Sequence, residues 1–143
     1  MKSIPRNILA VVLGLVIGSA VNMTILKSGG NIIPMPDSID PTNMEALKNN
    51  AHLLQPKHYV FPLLAHAIGT LAGTLTTVMI AHSRKKIFGY ITAGWFLLGG
   101  LIMCLIIPAP LWFKIADLLL AYIPMAWLAQ VLGDRTSSTS PPQ

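Results

Sequence analysis

From residue 7 to residue 26 the chain carries no charged side chain, and three more long apolar stretches follow. An α-helix rises about 1.5 Å per residue, so roughly 20 residues cross the hydrocarbon core of a bilayer. Runs 8–26, 59–81, 87–107 and 111–132 all reach that length. Lipid offers no partner to a backbone N–H or C=O, so each run is expected to be helical. Composition agrees: 53% of the 143 residues are apolar and 10% are charged, against roughly 25% charged in a soluble domain. The expected fold is all-α, an integral membrane four-helix bundle occupying residues 1–133.

The formal net charge of +5 is distributed as a topology signal, not as a nucleic-acid surface. Lys2, Arg6, Arg84, Lys85, Lys86 and Arg135 fall at one end of the bundle. Lys27, Lys48 and Lys57 fall at the other, offset by Asp37, Asp40 and Glu45. The end richer in Lys and Arg is expected to be cytoplasmic, with both termini inside. No basic stripe interleaves with aromatics, so no nucleic-acid partner is expected.

Residues 1–20 also resemble a secretory signal, with a cleavage site after Ala20. The apolar run continues to Leu26, and Gly14 and Gly18 form a G-x-x-x-G pair suited to helix packing. These favour retention as a first span.

The outer loop, 27–58, reads as extended over 31–36, because Pro34 and Pro36 disfavour helix before them. A short amphipathic helix of about three to four turns then follows. Its expected cap is Asp40 with Pro41, or Thr42 closing a capping box with Glu45. Met44, Leu47, Ala51 and Leu54 share its apolar face. Gly133 is the expected C-cap of the fourth span. The Ser/Thr/Pro-rich tail 134–143 is expected to be a disordered cytoplasmic tail. Pro124 should kink the fourth span.

Apolar burial does not drive association in lipid, so small residues and polar links must. Ala10, Gly14 and Gly18 line one face of the first span, and Ala65, Gly69 and Gly73 line the second. These faces are expected to meet.

Few polar side chains enter the spans. Asn22, His66 and Asp117 lie on three helices, all about 6 to 10 Å below the outer boundary at helical rise. Thr70 continues the His66 face one turn deeper, and Lys114 lies one turn before Asp117. A lone carboxylate at that depth is costly, so Asp117 needs a partner. His66 and Lys114 are the candidates. The five residues Asn22, His66, Thr70, Lys114 and Asp117 therefore form the expected polar cluster, a helix clamp or a binding or proton-linked site.

Other chemistry is thin. His52 and His58 lack any recognised metal spacing, no nucleotide or hydrolase motif appears, and Cys104 lies in an apolar run. No cofactor, metal or catalytic residue is expected.

The stretches Gly18-Ser19-Ala20-Val21-Asn22-Met23, Ala65-His66-Ala67-Ile68-Gly69-Thr70, and Pro110-Leu111-Trp112-Phe113 through Asp117 to Ala121-Tyr122-Ile123-Pro124-Met125-Ala126-Trp127 resemble those of small four-span bacterial membrane proteins with no assigned activity. The resemblance implies a bacterial inner membrane and no mechanism. The leading expectation is a non-enzymatic scaffold or accessory subunit, a homo-oligomer or part of a larger membrane complex. The alternative is a small transporter or channel using the polar cluster. A lipid-acting enzyme with His66 and Asp117 as acid and base ranks third.

Overall fold

A computed structural model describes residues 3–37, 39–40 and 43–138. Among these residues the fold is all helical, with no strand. Four helices are long and apolar enough to cross a membrane: Ser3–Ile32, Pro56–Ile80, Lys85–Ile106 and Leu111–Arg135.

The first, α1 (Ser3–Ile32), overruns the expected 8–26 at both ends. Pro5 sits in its first turn, where a missing N–H costs nothing. No proline follows until Pro34, so the helix persists through Asn31 and Ile32, which had been expected to be extended. Gly29 is buried in this extra length, where an added Cβ would strike Phe61.

The loop helix is shorter than expected. α2 covers Met44–Asn50 and passes into a 3-10 turn at Ala51–Leu53. Its cap is Asn43, whose side chain accepts from the Glu45 and Ala46 amides at 3.0 and 3.2 Å. Asp40 therefore does not cap it, and the Thr42 alternative lies outside the described residues. Of the expected apolar face only Ala51 is buried.

A 3-10 turn over Pro56–Tyr59 leads into α3 (Val60–Ile80). His58 closes this entry: its Nδ1 accepts from the Gln55 amide at 2.9 Å. α4 (Lys85–Ile106) returns through the bundle. The fourth span is two helices, α5 (Leu111–Leu120) and α6 (Ile123–Ser138). Pro124 has no N–H to offer the carbonyl one turn back, and the predicted kink falls at Ala121–Tyr122, where α5 passes into α6. Gly133 does not end α6; it is buried inside it, where an added Cβ would strike Val78. The expected disordered tail therefore starts too early, since α6 runs on to Ser138; residues 139–143 lie outside the described residues.

α3 is the hub, packed on α1, α4, α5 and α6, with α1 its most extensive neighbour. The expected glycine faces do meet. A Cβ at Gly14 would lie 2.6 Å from the Gly73 carbonyl, and one at Gly18 would lie 2.7 Å from the Gly69 carbonyl. Only glycine permits that backbone approach. The interior is small-residued: Ala10, Ala65, Ala121 and Ala129 are fully buried. Large apolar side chains point outward, with Leu111 72% and Leu105 86% exposed. A helix bundle solvated by lipid has this distribution, because outward leucines cost nothing there.

Polar links tie the basic end. Asn7 Oδ1 accepts from the His82 and Ser83 amides at 2.8 and 3.3 Å, and its Nδ2 donates to Ser83 Oγ at 3.1 Å. Arg6 Nε donates to the Ile80 carbonyl at 2.9 Å. Further in, the Thr77 hydroxyl lies 3.2 Å from the Ala10 carbonyl and 2.8 Å from Thr92 Oγ1.

Candidate functional site

The site begins at the α5–α6 break. Asp117 stands on the last turn of α5, and its backbone carbonyl accepts the Ala121 amide that closes that helix. The chain then turns at Ala121–Tyr122, which places Tyr122 inward at 3% exposure. A Cβ at Gly100 would overlap the Tyr122 hydroxyl, so the phenol occupies the space which that glycine leaves on α4.

His66 meets Asp117 from α3. Its Nδ1 lies 2.8 Å from Oδ1 and 3.0 Å from Oδ2. The Tyr122 hydroxyl donates to Oδ2 at a longer 3.3 Å. The carboxylate is 1% exposed, so both of its oxygens are satisfied inside the protein. The His66 and Tyr122 rings lie 6.0 Å apart. Three elements thus converge on one carboxyl group.

The five expected residues separate here. His66, one of the two expected partners, is joined to Asp117. Lys114 is not part of the cluster: its Nζ donates to the Cys104 carbonyl at 2.6 Å. Its long stem carries the ammonium away from Asp117 toward the frayed carbonyls at the end of α4. Neither Asn22 nor Thr70 is hydrogen-bonded to Asp117. Both instead line a cleft with His66. Sequence reasoning missed Tyr122 as the second partner of Asp117, because five residues of separation do not bring two side chains together on an unbroken helix. Pro124 was the available signal.

The cleft has a volume of 530 Å³ and lies between α1 and α4, with α3 beneath. That volume falls within the range of about 300–1,000 Å³ common to small-molecule sites. Ser19, Asn22, His66, Thr70 and Tyr122 supply its polar groups; Met23, Leu26, Trp95, Phe96, Ile102, Met103 and Ile106 make the walls. Its rim is open to the outside of the bundle, since Trp95 is 63% and Met23 51% exposed. At its inner end Phe96 crosses to Gly18, where an added Cβ would lie 2.5 Å from the ring.

One group on the cleft and one sealed beneath it have unused hydrogen-bonding capacity. Thr70 is fully buried, and its hydroxyl has no partner among the described residues. His66 commits Nδ1 to Asp117, and no described residue bonds its Nε2. A buried carboxylate on Nδ1 orients an imidazole and leaves Nε2 to act, an arrangement suited to binding or proton transfer.

The chain matches no family model, no curated protein and no solved structure.

Proposed function

We propose that this is a multi-pass protein of a bacterial inner membrane, with both termini cytoplasmic, and that it binds a membrane-soluble molecule in the α1–α4 cleft. It acts as a non-enzymatic binding or accessory subunit. The orientation rests on the six Lys and Arg residues at one end of the bundle. The bacterial setting rests on the sequence resemblance alone.

One observation carries the binding reading: a cleft with apolar walls and an open rim is lined by a partly exposed His66, whose Nε2 no described residue bonds. Lipid tails filling it leave His66 Nε2 unsatisfied, at about 1 kcal/mol for a partly exposed group. An occupant with both an apolar body and a polar group removes that cost. A plain scaffold needs no such cleft.

Transport is the second reading, favoured by Thr74, one turn below Thr70, another fully buried hydroxyl with no partner among the described residues. The line stops at Thr77, whose hydroxyl is engaged by Ala10 and Thr92. A closed floor suits binding better than passage.

The test is mass spectrometry of small molecules extracted from the purified protein, comparing the native chain with Gly99→Leu. Gly99 lines the cleft and has nothing within 4 Å of an added Cβ, so a larger side chain can enter there and narrow the cleft. A lipophile enriched with the native chain and absent from Gly99→Leu supports binding. Equal recovery from both refutes it.

A further inference from the structure

We infer that a buried line of threonine hydroxyls on α3, bridged by internal water, carries protons between the His66–Asp117 pair and the basic end of the bundle. This goes beyond the binding reading and needs no occupant in the cleft.

The line follows from helical spacing. His66, Thr70, Thr74 and Thr77 succeed one another at intervals of four, four and three residues, so their side chains stack along one side of α3. Thr92 of α4 joins them, its Oγ1 2.8 Å from that of Thr77. All four threonines are 0% exposed. From His66 to Thr77 the line runs about 16 Å at helical rise, and α3 ends one turn later at Ile80. Thr77 also meets the Ala10 carbonyl of α1. One turn along α1 lies Asn7, 3% exposed, which holds the His82 and Ser83 amides at that end.

Two of these hydroxyls differ from the rest. A helical threonine can satisfy itself on the carbonyl four residues back. Thr24, Thr76, Thr77 and Thr92 all do so, at 2.8, 2.8, 3.1 and 3.2 Å. Thr70 and Thr74 do not, and no described residue bonds either hydroxyl. A sealed hydroxyl without a partner costs free energy, and internal water is the usual partner of such a group. Neighbours on a helix face are about 5–6 Å apart, twice an O–H···O distance of about 2.8 Å. One water therefore spans each step from His66 to Thr70, from Thr70 to Thr74 and from Thr74 to Thr77.

The pair at the head of the line loads and unloads the proton. The His66 side chain is 21% exposed at the cleft, and no described residue bonds its Nε2. Nε2 takes a proton from the cleft side while Asp117, on Nδ1, compensates the imidazolium charge. The same nitrogen then gives that proton to the water above Thr70, and the imidazole is neutral again. The cycle can start from either protonation state of the pair. Each hydroxyl receives one proton and passes one on, so no threonine keeps a charge in the apolar interior. Closure at Thr77 stops a solute, whereas a proton moves by exchange along hydrogen bonds and needs no opening.

The test is proton flux into liposomes holding the purified chain and a trapped pH-sensitive dye, driven by a potassium diffusion potential with valinomycin. Expected is flux above that of protein-free liposomes, lowered about tenfold or more by Thr74→Val, which takes one hydrogen-bonded link from the line. Thr74→Ser keeps the hydroxyl and should keep the flux. Thr76→Val removes a hydroxyl of the same helix that is bonded to the Ala72 carbonyl, off the line, and should leave the flux unchanged. Thr74→Val keeps the side-chain shape and deletes an unpartnered group, so its unfolding midpoint should not fall; should it fall, Thr70→Val carries the same comparison.

No flux above protein-free liposomes overturns the inference. So does flux that survives Thr74→Val, that Thr74→Ser abolishes, or that Thr76→Val lowers equally. Sodium entry as fast as proton entry overturns it too, because a line of hydroxyls and single waters selects the proton.

Discussion

Replacing Asp117 with leucine removes the one carboxylate that joins α3 to α5, and its cost can be worked from the geometry. His66 loses both contacts, at 2.8 and 3.0 Å, and Tyr122 loses a longer one at 3.3 Å. Tyr122 is only 3% exposed, so its hydroxyl is stranded. The His66 side chain is 21% exposed and keeps part of its solvation through the cleft. At about 1–3 kcal/mol for a fully stranded group and less for a half-open one, Asp117→Leu should cost about 3 kcal/mol. His66→Leu strands a carboxyl group at 1% exposure and should cost about 3–5 kcal/mol. The double variant should cost less than the two together by about 1–2 kcal/mol, since interhelical polar contacts in membranes are weakened by the alternatives available to the unfolded chain. Reversible unfolding in mixed micelles, read as a double-mutant cycle, measures this. Additivity within about 0.5 kcal/mol would refute the pair as a stabilising link, however well its atoms are placed.

Further outcomes follow from the packing and from the charge distribution. Gly14→Ala should destabilise by about 2 kcal/mol or more, because the new Cβ meets Thr77 and the Gly73 carbonyl. Gly30→Ala, with nothing within 4 Å of its Cβ, should be neutral or gain up to about 1 kcal/mol from helix propensity; the same unfolding assay compares them. Asn7→Ala should cost about 1–2 kcal/mol by uncapping the His82–Ser83 turn, and faster protease cleavage near Arg84 would report it. Arg84 holds a left-handed backbone at φ 48°; Arg84→Gly should raise stability by about 1 kcal/mol, measurable as a higher unfolding midpoint. In a Cys104→Ala background, Asn49→Cys should react with an impermeant maleimide added outside the cell, while Ser3→Cys should react only after lysis; the reverse pattern would invert the assigned topology.

The legible part of this fold is local. Runs free of charge are read directly, because lipid imposes one length and one backbone solution on them. The glycine stripes at 14, 18, 69 and 73 are legible for a related reason: within lipid, close backbone approach is one of the few sources of association left. Depth also says that Asp117 must find a partner, and it narrows the choice to His66 and Lys114 without deciding between them.

Element ends were less legible. α1 outran its apolar run and packs Gly29 on Phe61 in the extra length, and α6 outran Gly133, which packs on Val78. Both are long-range contacts that a local cap signal does not contain. Lys114 was misjudged because a flexible stem reaches many acceptors, and sequence spacing does not choose among them.

Sequence alone determined that this chain makes four membrane-length helices, which ends carry charge, and that Asp117 needs a partner. Tertiary structure decided that Tyr122 joins the pair, that Lys114 leaves it, and that α1 and α4 part above Phe96 to leave a cleft over Thr70. Hydropathy and helical rise act along one segment at a time. A cleft exists only where several segments fail to meet, and that depends on how all of them pack.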